Sequence, residues 1–155
     1  MSLSLTIDDA GVERLAERIR SLGRSLGQRQ ELMVAIAFEG ENQTRRRISE
    51  EKTAPDGTPW PSWSPGYAAT RSPGTSLLEG GGELIDSIVS TADDDAAEWG
   101  SNLVYFAIHD QGGTDDMAPG PAAIPRRQML GLSQDNEADI QRIVDDWIER
   151  RLEEQ

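Results

Sequence analysis

Tyr105-Phe106-Ala107-Ile108-His109-Asp110-Gln111-Gly112 and, after an intervening loop, Ile124-Pro125-Arg126-Arg127-Gln128-Met129-Leu130-Gly131-Leu132-Ser133 are the two stretches around which the chain is organised. The first is an apolar turn closed by the sole histidine and a glycine pair. With Tyr105, Ile108 and His109 on one side, Tyr105–Gln111 reads as one or two turns of helix in preference to a strand. The second opens on an X-Pro pair, which biases Ile124 to extended backbone. It continues through two arginines and an apolar run to a helix cap, so 124–130 is expected as a strand added to a sheet. The two stretches read as one paired unit. Between them, the loop 112–123 has the composition of a mobile arm: Gly112, Gly113, Pro119, Gly120 and Pro121, kept wet by Asp115 and Asp116.

Downstream lies the clearest element of the chain, a helix capped by Ser133 or Asp135 whose apolar face comprises Ile140, Ile143, Val144, Trp147, Ile148 and Leu152. Upstream, Leu84 to Thr91 reads as a short helical entry followed by a strand, and Ala97-Glu98-Trp99-Gly100 as a second strand. The Asp93-Asp94-Asp95 link between them lacks the alternating ligands and closing glutamate of a calcium loop and reads as a solvated turn. Gly80-Gly81-Gly82 lacks the Gly-Lys-Ser/Thr of a phosphate cradle and reads as a hinge or turn.

Near the start, Thr6 or Asp8 caps a helix carrying Val12, Leu15, Ile19 and Leu22, with Gly23 as its natural stop. A longer helix is expected from Gln28 towards Glu50, its stripe passing through Leu32, Met33, Ile36, Ala37, Gly40, Thr44 and Ile48. Gly40 inside it costs roughly 1 kcal/mol against alanine unless a neighbour needs the space, which marks it as a close-packing point. Arg45-Arg46-Arg47 suits the negative end of the helix dipole. With Glu50-Glu51 following and no companion basic run, the triplet reads as a solvated or partner-pairing helix end rather than a nucleic-acid patch.

The composition changes over 53–76, which holds five prolines, three glycines, Trp60, Trp63 and Tyr67. The prolines remove backbone donors, so this is a long loop and not a strand pair. Such a loop in a small domain is functional or disordered. Two tryptophans argue against full disorder: they either pin the loop to its own domain or anchor an interface. Together these readings give an α+β fold. A small, mostly antiparallel sheet from residues near 85–92, 97–101 and 124–130 packs against the 28–50 and 135–152 helices, with long Pro/Gly-rich loops at 53–76 and 112–123.

A chain of 155 residues fits one domain, 1–155, with an aliphatic core of modest size. It has no cysteine, so disulfides and thiolate chemistry play no part. No signal peptide and no membrane-spanning stretch is expected. The net charge of −13 lies wholly in 79–155, with five Lys+Arg against eighteen Asp+Glu, whereas 1–78 balances at ten each. That distribution disfavours phosphate-backbone binding, and no sequence-specific nucleic acid is expected as a partner. An acidic wall would instead let DNA slide past without sticking.

Any enzyme reading must pass through His109, the sole residue suited to neutral-pH general base or imidazole ligand. Asp110, Asp115 and Asp116 lie close by in sequence, but zinc favours several His or Cys ligands. The chain contains no Gly-x-Ser-x-Gly and no His-Glu-x-x-His, and neither enzyme, metal nor cofactor is expected. The plainer reading has the His109 ring bonded to a backbone group, locking Gly112-Gly113 against Ile124-Pro125. Arg126 and Arg127 suit bidentate clamping of carboxylates across an interface; a surface pair with no partner is the alternative.

The same stretches resemble the phage virion morphogenesis proteins, also called tail completion proteins, of Mu-like contractile-tailed phages and prophages. Those proteins typically carry Tyr-Ala-x-x-His-Gln-x-Gly, a variable Gly-rich loop, Ile-Pro-Ala-Arg-x-Phe-Leu-Gly-Leu-Ser and a C-terminal helix. Tyr105, Ile108, His109, Gly112, Ile124, Pro125, Arg127, Leu130, Gly131, Leu132 and Ser133 stand at matching positions. Upstream, Pro55-Asp56-Gly57-Thr58-Pro59-Trp60 is similar to the family's Asp-Gly-x-x-Trp loop and Leu78 to Ser87 to its Leu-x-x-x-Gly-x-Leu-x-x-Ser segment, so the likeness spans roughly positions 45 to 150. Phe106, Asp110-Gln111, Arg126 and Gln128-Met129 depart from the pattern.

The resemblance implies a structural protein acting in tail completion and head–tail joining. It would be placed at the head–tail joint of the virion, and in the host cytoplasm during assembly. Its partners would be copies of itself, as a homo-oligomer, and phage tail-end and neck proteins, without a membrane. Trp60, Trp63, Tyr105, His109, Arg126 and Arg127 are the expected interface residues. An acidic binding adaptor or DNA-mimic inhibitor is the alternative, and a hydrolase using His109 a further one.

Overall fold

The computed structural model describes residues 9–113 and 124–154. The cap expected at Thr6 or Asp8, and the loop 112–123 apart from Gly112 and Gly113, lie outside them. Helix α1, Asp9–Gly27, runs straight through Gly23, so the stop expected there is absent. A mid-helix glycine costs only about 1 kcal/mol, and Arg24 reaches back across it to Glu17 at 3.1 Å.

Helix α2, Gln30–Arg46, continues into a wider π turn, Arg47–Glu51, and stops where Lys52 turns left-handed at φ 55°. The Lys52 ammonium fixes this stop, bonding the Ile48 carbonyl below and the Leu77 carbonyl at 2.7 Å. One turn, α3, Pro65–Ala68, interrupts the long loop. Another, α4, Glu83–Asp86, leads into β1, Val89–Ala92, which pairs antiparallel with β2, Ala97–Gly100. Val89 faces Gly100 and Ala92 faces Ala97. The Asp93 carboxylate accepts the Asp95 and Ala96 amides and closes the link as a turn.

The hairpin lies against α2, and Gly40 is what permits the approach: a Cβ there would stand 2.3 Å from the Trp99 ring. Arg45 adds a bond to the Ile88 carbonyl at 2.7 Å, and Ser90 bonds Glu41 at 2.7 Å. Helix α5, Val104–Gln111, follows, and then α6, Gln134–Glu153, packs against α2. On α6 the apolar face is only partly covered: Trp147 is buried, whereas Ile148 and Leu152 are exposed. The core gathers Ile48, Trp60, Leu84, Ile88, Phe106 and Met129.

The fold is α+β, as the sequence predicts, with two corrections: the hairpin packs on α2, while α6 packs on α2 rather than on the sheet, and the sheet is smaller than expected. Among the described residues the sheet has two strands, and the third expected at 124–130 is irregular chain. Its amides have other acceptors. Arg127 N–H bonds the His109 carbonyl at 2.7 Å, and the Met129 and Leu130 amides both bond one Asp110 carboxylate oxygen, at 2.7 and 2.9 Å. A helix end and a carboxylate thus do for this segment what a neighbouring strand would do.

Candidate functional site

The two diagnostic stretches do form one unit. Besides the Asp110 clamp, Gly113 N–H bonds the Ile124 carbonyl at 2.8 Å, and Arg126 Nε bonds the Asp110 carbonyl at 3.2 Å. The lock between Gly112-Gly113 and Ile124-Pro125 is therefore made by backbone and by Asp110. This corrects the role expected for the His109 ring, whose buried Nδ1 has no hydrogen-bond partner among the described residues.

The long loop 53–76 is fastened to this unit by two side chains. Trp60 Nε1 donates to the Gln128 carbonyl at 3.1 Å, and Arg127 donates through Nε to Pro61 O at 2.9 Å and through Nη2 to Ser62 O at 3.2 Å. Trp60 is 5% exposed and Arg127 4%. Of the two tryptophan readings, the pin to the chain's own core is the one Trp60 fulfils, and it presents no free anchor. Trp63 is half-buried, Tyr105 38% exposed, His109 half-buried and Arg126 exposed, so these four reach solvent.

The basic triplet needs the sharpest correction. Arg47 is fully buried, not solvated: Nη1 donates to Met129 O at 2.8 Å and Gly131 O at 3.0 Å, and Nη2 to Asn136 Oδ1 at 2.6 Å. Burial lowers its pKa, with Glu51 opposing the shift, yet a guanidinium stays protonated. Asn136 in turn completes the capping box with Ser133 that starts α6. One arginine therefore joins the end of α2, the irregular segment 124–130 and the cap of α6. The signal for it is periodicity: Arg47 continues the buried row of Gly40 and Thr44. Beside it, Gly131 holds φ 129°, and a Cβ there would meet Pro55 at 2.7 Å. Glycine is required at that position on both counts.

Between the long loop and the α5 unit runs a groove of about 780 Å³. Trp63 and Tyr67 meet edge to face, centroids 6.0 Å apart, and the Arg71 guanidinium lies over the Tyr67 ring at 4.7 Å. Tyr105, His109 and Arg127 line the groove together with Leu78–Gly81. Burial, and then the Arg127 charge, push the His109 pKa below its ordinary value, so the ring is neutral at physiological pH. Burial also lowers the pKa of Arg127, with Tyr67 acting the other way. Among the described residues, no three of His, Cys, Asp and Glu gather as a cation site, and no helix is long and apolar enough to cross a membrane. The groove offers aromatic surface, one largely buried cation and hydroxyl groups.

This is an α+β protein whose distinctive site is a clamped loop pair beside an aromatic groove. The chain belongs to the phage virion morphogenesis family, whose model matches residues 8–149. It is 34% identical over 143 residues, 89% of this chain and 83% of the other, to the protein named "Putative capsid assembly protein G" in Escherichia phage Mu. No solved structure matches it. Its role lies in phage morphogenesis, and both names point to an assembly protein.

Proposed function

We propose that this protein is a structural component that completes the phage tail and joins it to the DNA-filled head, working at the joint in the virion after synthesis in the host cytoplasm. The observation that carries the reading is the groove at the clamped unit, where the stretches 105–112 and 124–133 that mark the family come together around a surface suited to docking. Its partners are tail-end and neck proteins and further copies of itself. For the latter, exposed apolar side chains are at hand: Val34 and Phe38 on α2, and Ile148 and Leu152 on α6. Light scattering behind a sizing column tests self-association, and a strict monomer at high concentration removes the untemplated oligomer.

A second reading, capsid assembly, is favoured by the name of the phage Mu relative. Electron microscopy of lysates from a phage lacking this gene separates the two. Filled heads beside unattached tails support joining. Absence of heads supports capsid assembly and overturns the first reading. An acidic DNA-mimic would draw on the −13 charge alone and leaves the groove unused. A hydrolase would act through His109, and unchanged activity in His109→Ala would eliminate it.

A further inference from the structure

We propose that the groove captures an extended peptide segment of a partner protein by setting one carboxylate against Arg127 and lodging an adjacent apolar side chain among Trp63, Tyr67 and Tyr105. The inference deepens the assembly reading, on which the identity of the partner as a virion protein rests.

Charge carries it. Arg127 is 4% exposed, yet its side-chain bonds to the described residues go to two neutral carbonyls, and among those residues no carboxylate pairs with it. A largely buried guanidinium held by neutral carbonyls alone gains when an anion arrives with good geometry. Nε and Nη2 are occupied by the Pro61 and Ser62 carbonyls, whereas Nη1 makes no bond to a described residue. Arg71, held over Tyr67, adds a second cation to the same groove.

The lining also limits what can bind. Glu79 is engaged by Lys52 at 3.5 Å, but Glu83, exposed at the rim, has no ion pair among the described residues and repels a second negative group. The groove therefore suits a single acidic residue between apolar neighbours and not an acidic run or a polyphosphate. Its volume, about 780 Å³, accommodates a few residues of extended chain. Leu78 in its wall holds φ 61°, an unfavourable conformation for a non-glycine residue that clusters at binding sites.

The test is a heteronuclear NMR titration of the full chain. The probes are acetylated, amidated tripeptides with a central Glu flanked by Leu, Phe or Tyr, each matched by its Gln analogue. At least one Glu peptide is expected to shift the Trp63 indole and Arg127 Nε–H signals and to bind at least tenfold more tightly than its Gln analogue. Arg71→Ala and Tyr67→Ala, both at exposed positions, are expected to weaken it severalfold with an unchanged melting temperature. Equal affinity for Glu and Gln peptides, shifts confined to residues outside the groove, or no binding by any probe at millimolar concentration overturns the proposal. The gene-deletion phenotype reads the joining role separately: filled heads and free tails together with a silent titration retain that role and remove this groove as its contact.

Discussion

Single side chains carry much of the connection between elements here, and Arg47 carries the most. Arg47→Ala strands the Met129 and Gly131 carbonyls and the Asn136 amide oxygen, so urea denaturation should show a loss of about 3–5 kcal/mol. Arg47→Met, which keeps the packing and removes the charge, should cost less. Gly40→Ala gains about 1 kcal/mol of helix propensity but drives a methyl into the Trp99 ring. Overpacking of about 1–3 kcal/mol wins, and Trp99→Leu should rescue the variant in a double-mutant cycle. His109 sets a pH dependence. Its pKa is lowered in the folded state, so as pH falls through about 6.5 the unfolded chain takes up a proton that the native ring refuses. Stability is full above that value and declines below it towards the folded pKa. His109→Gln should flatten the slope in thermal melts recorded from pH 7.5 to 5.

At the level of elements, legibility followed the range of the deciding interaction. The last helix and its Ser133 cap, the helical reading of Tyr105–Gln111 and the hairpin either side of the aspartates all rest on local spacing, and the structure has them. The stretch 124–130 does not rest on local spacing: its amides are taken by Asp110, nineteen and twenty residues earlier, and by the His109 carbonyl, eighteen residues earlier. Nothing in the run itself distinguishes that carboxylate from a strand partner. Arg47 is the opposite case: it stands at helical spacing from Gly40 and Thr44, a local signal of burial that its charge conceals. The clamp is testable on its own. Asp110→Ala leaves the Met129 and Leu130 amides without acceptors and should cost about 2–3 kcal/mol. Amide exchange should accelerate first at 127–130 and at Gly113, while Asp110→Asn, whose oxygen accepts as well, should restore most of the protection.

The whole molecule is shaped electrically by an asymmetry that no single contact reveals. The −13 charge resides entirely in 79–155, and α6 alone holds seven acidic residues against three arginines. The ion pairs at its surface are exposed, among them Arg142 with Asp139 and Arg151 with Glu154, and such pairs contribute little, about 0–1 kcal/mol each. Self-repulsion among the acidic residues of this half therefore outweighs them at low ionic strength, where the Debye length is about 30 Å at 0.01 M. Raising salt to 0.2 M brings screening to under about 10 Å, so repulsion fades before the short-range contacts within the core are touched. The melting temperature should rise by several degrees between 10 and 200 mM sodium chloride, with most of the rise below 100 mM. A fall would mean that the surface pairs dominate. The same field predicts no retention of duplex DNA by the isolated protein at 50 mM salt, because it has few cations with which to displace counterions. DNA retention there would place a basic face, with the arginines of α1 the first candidates, in a role that the net charge alone conceals.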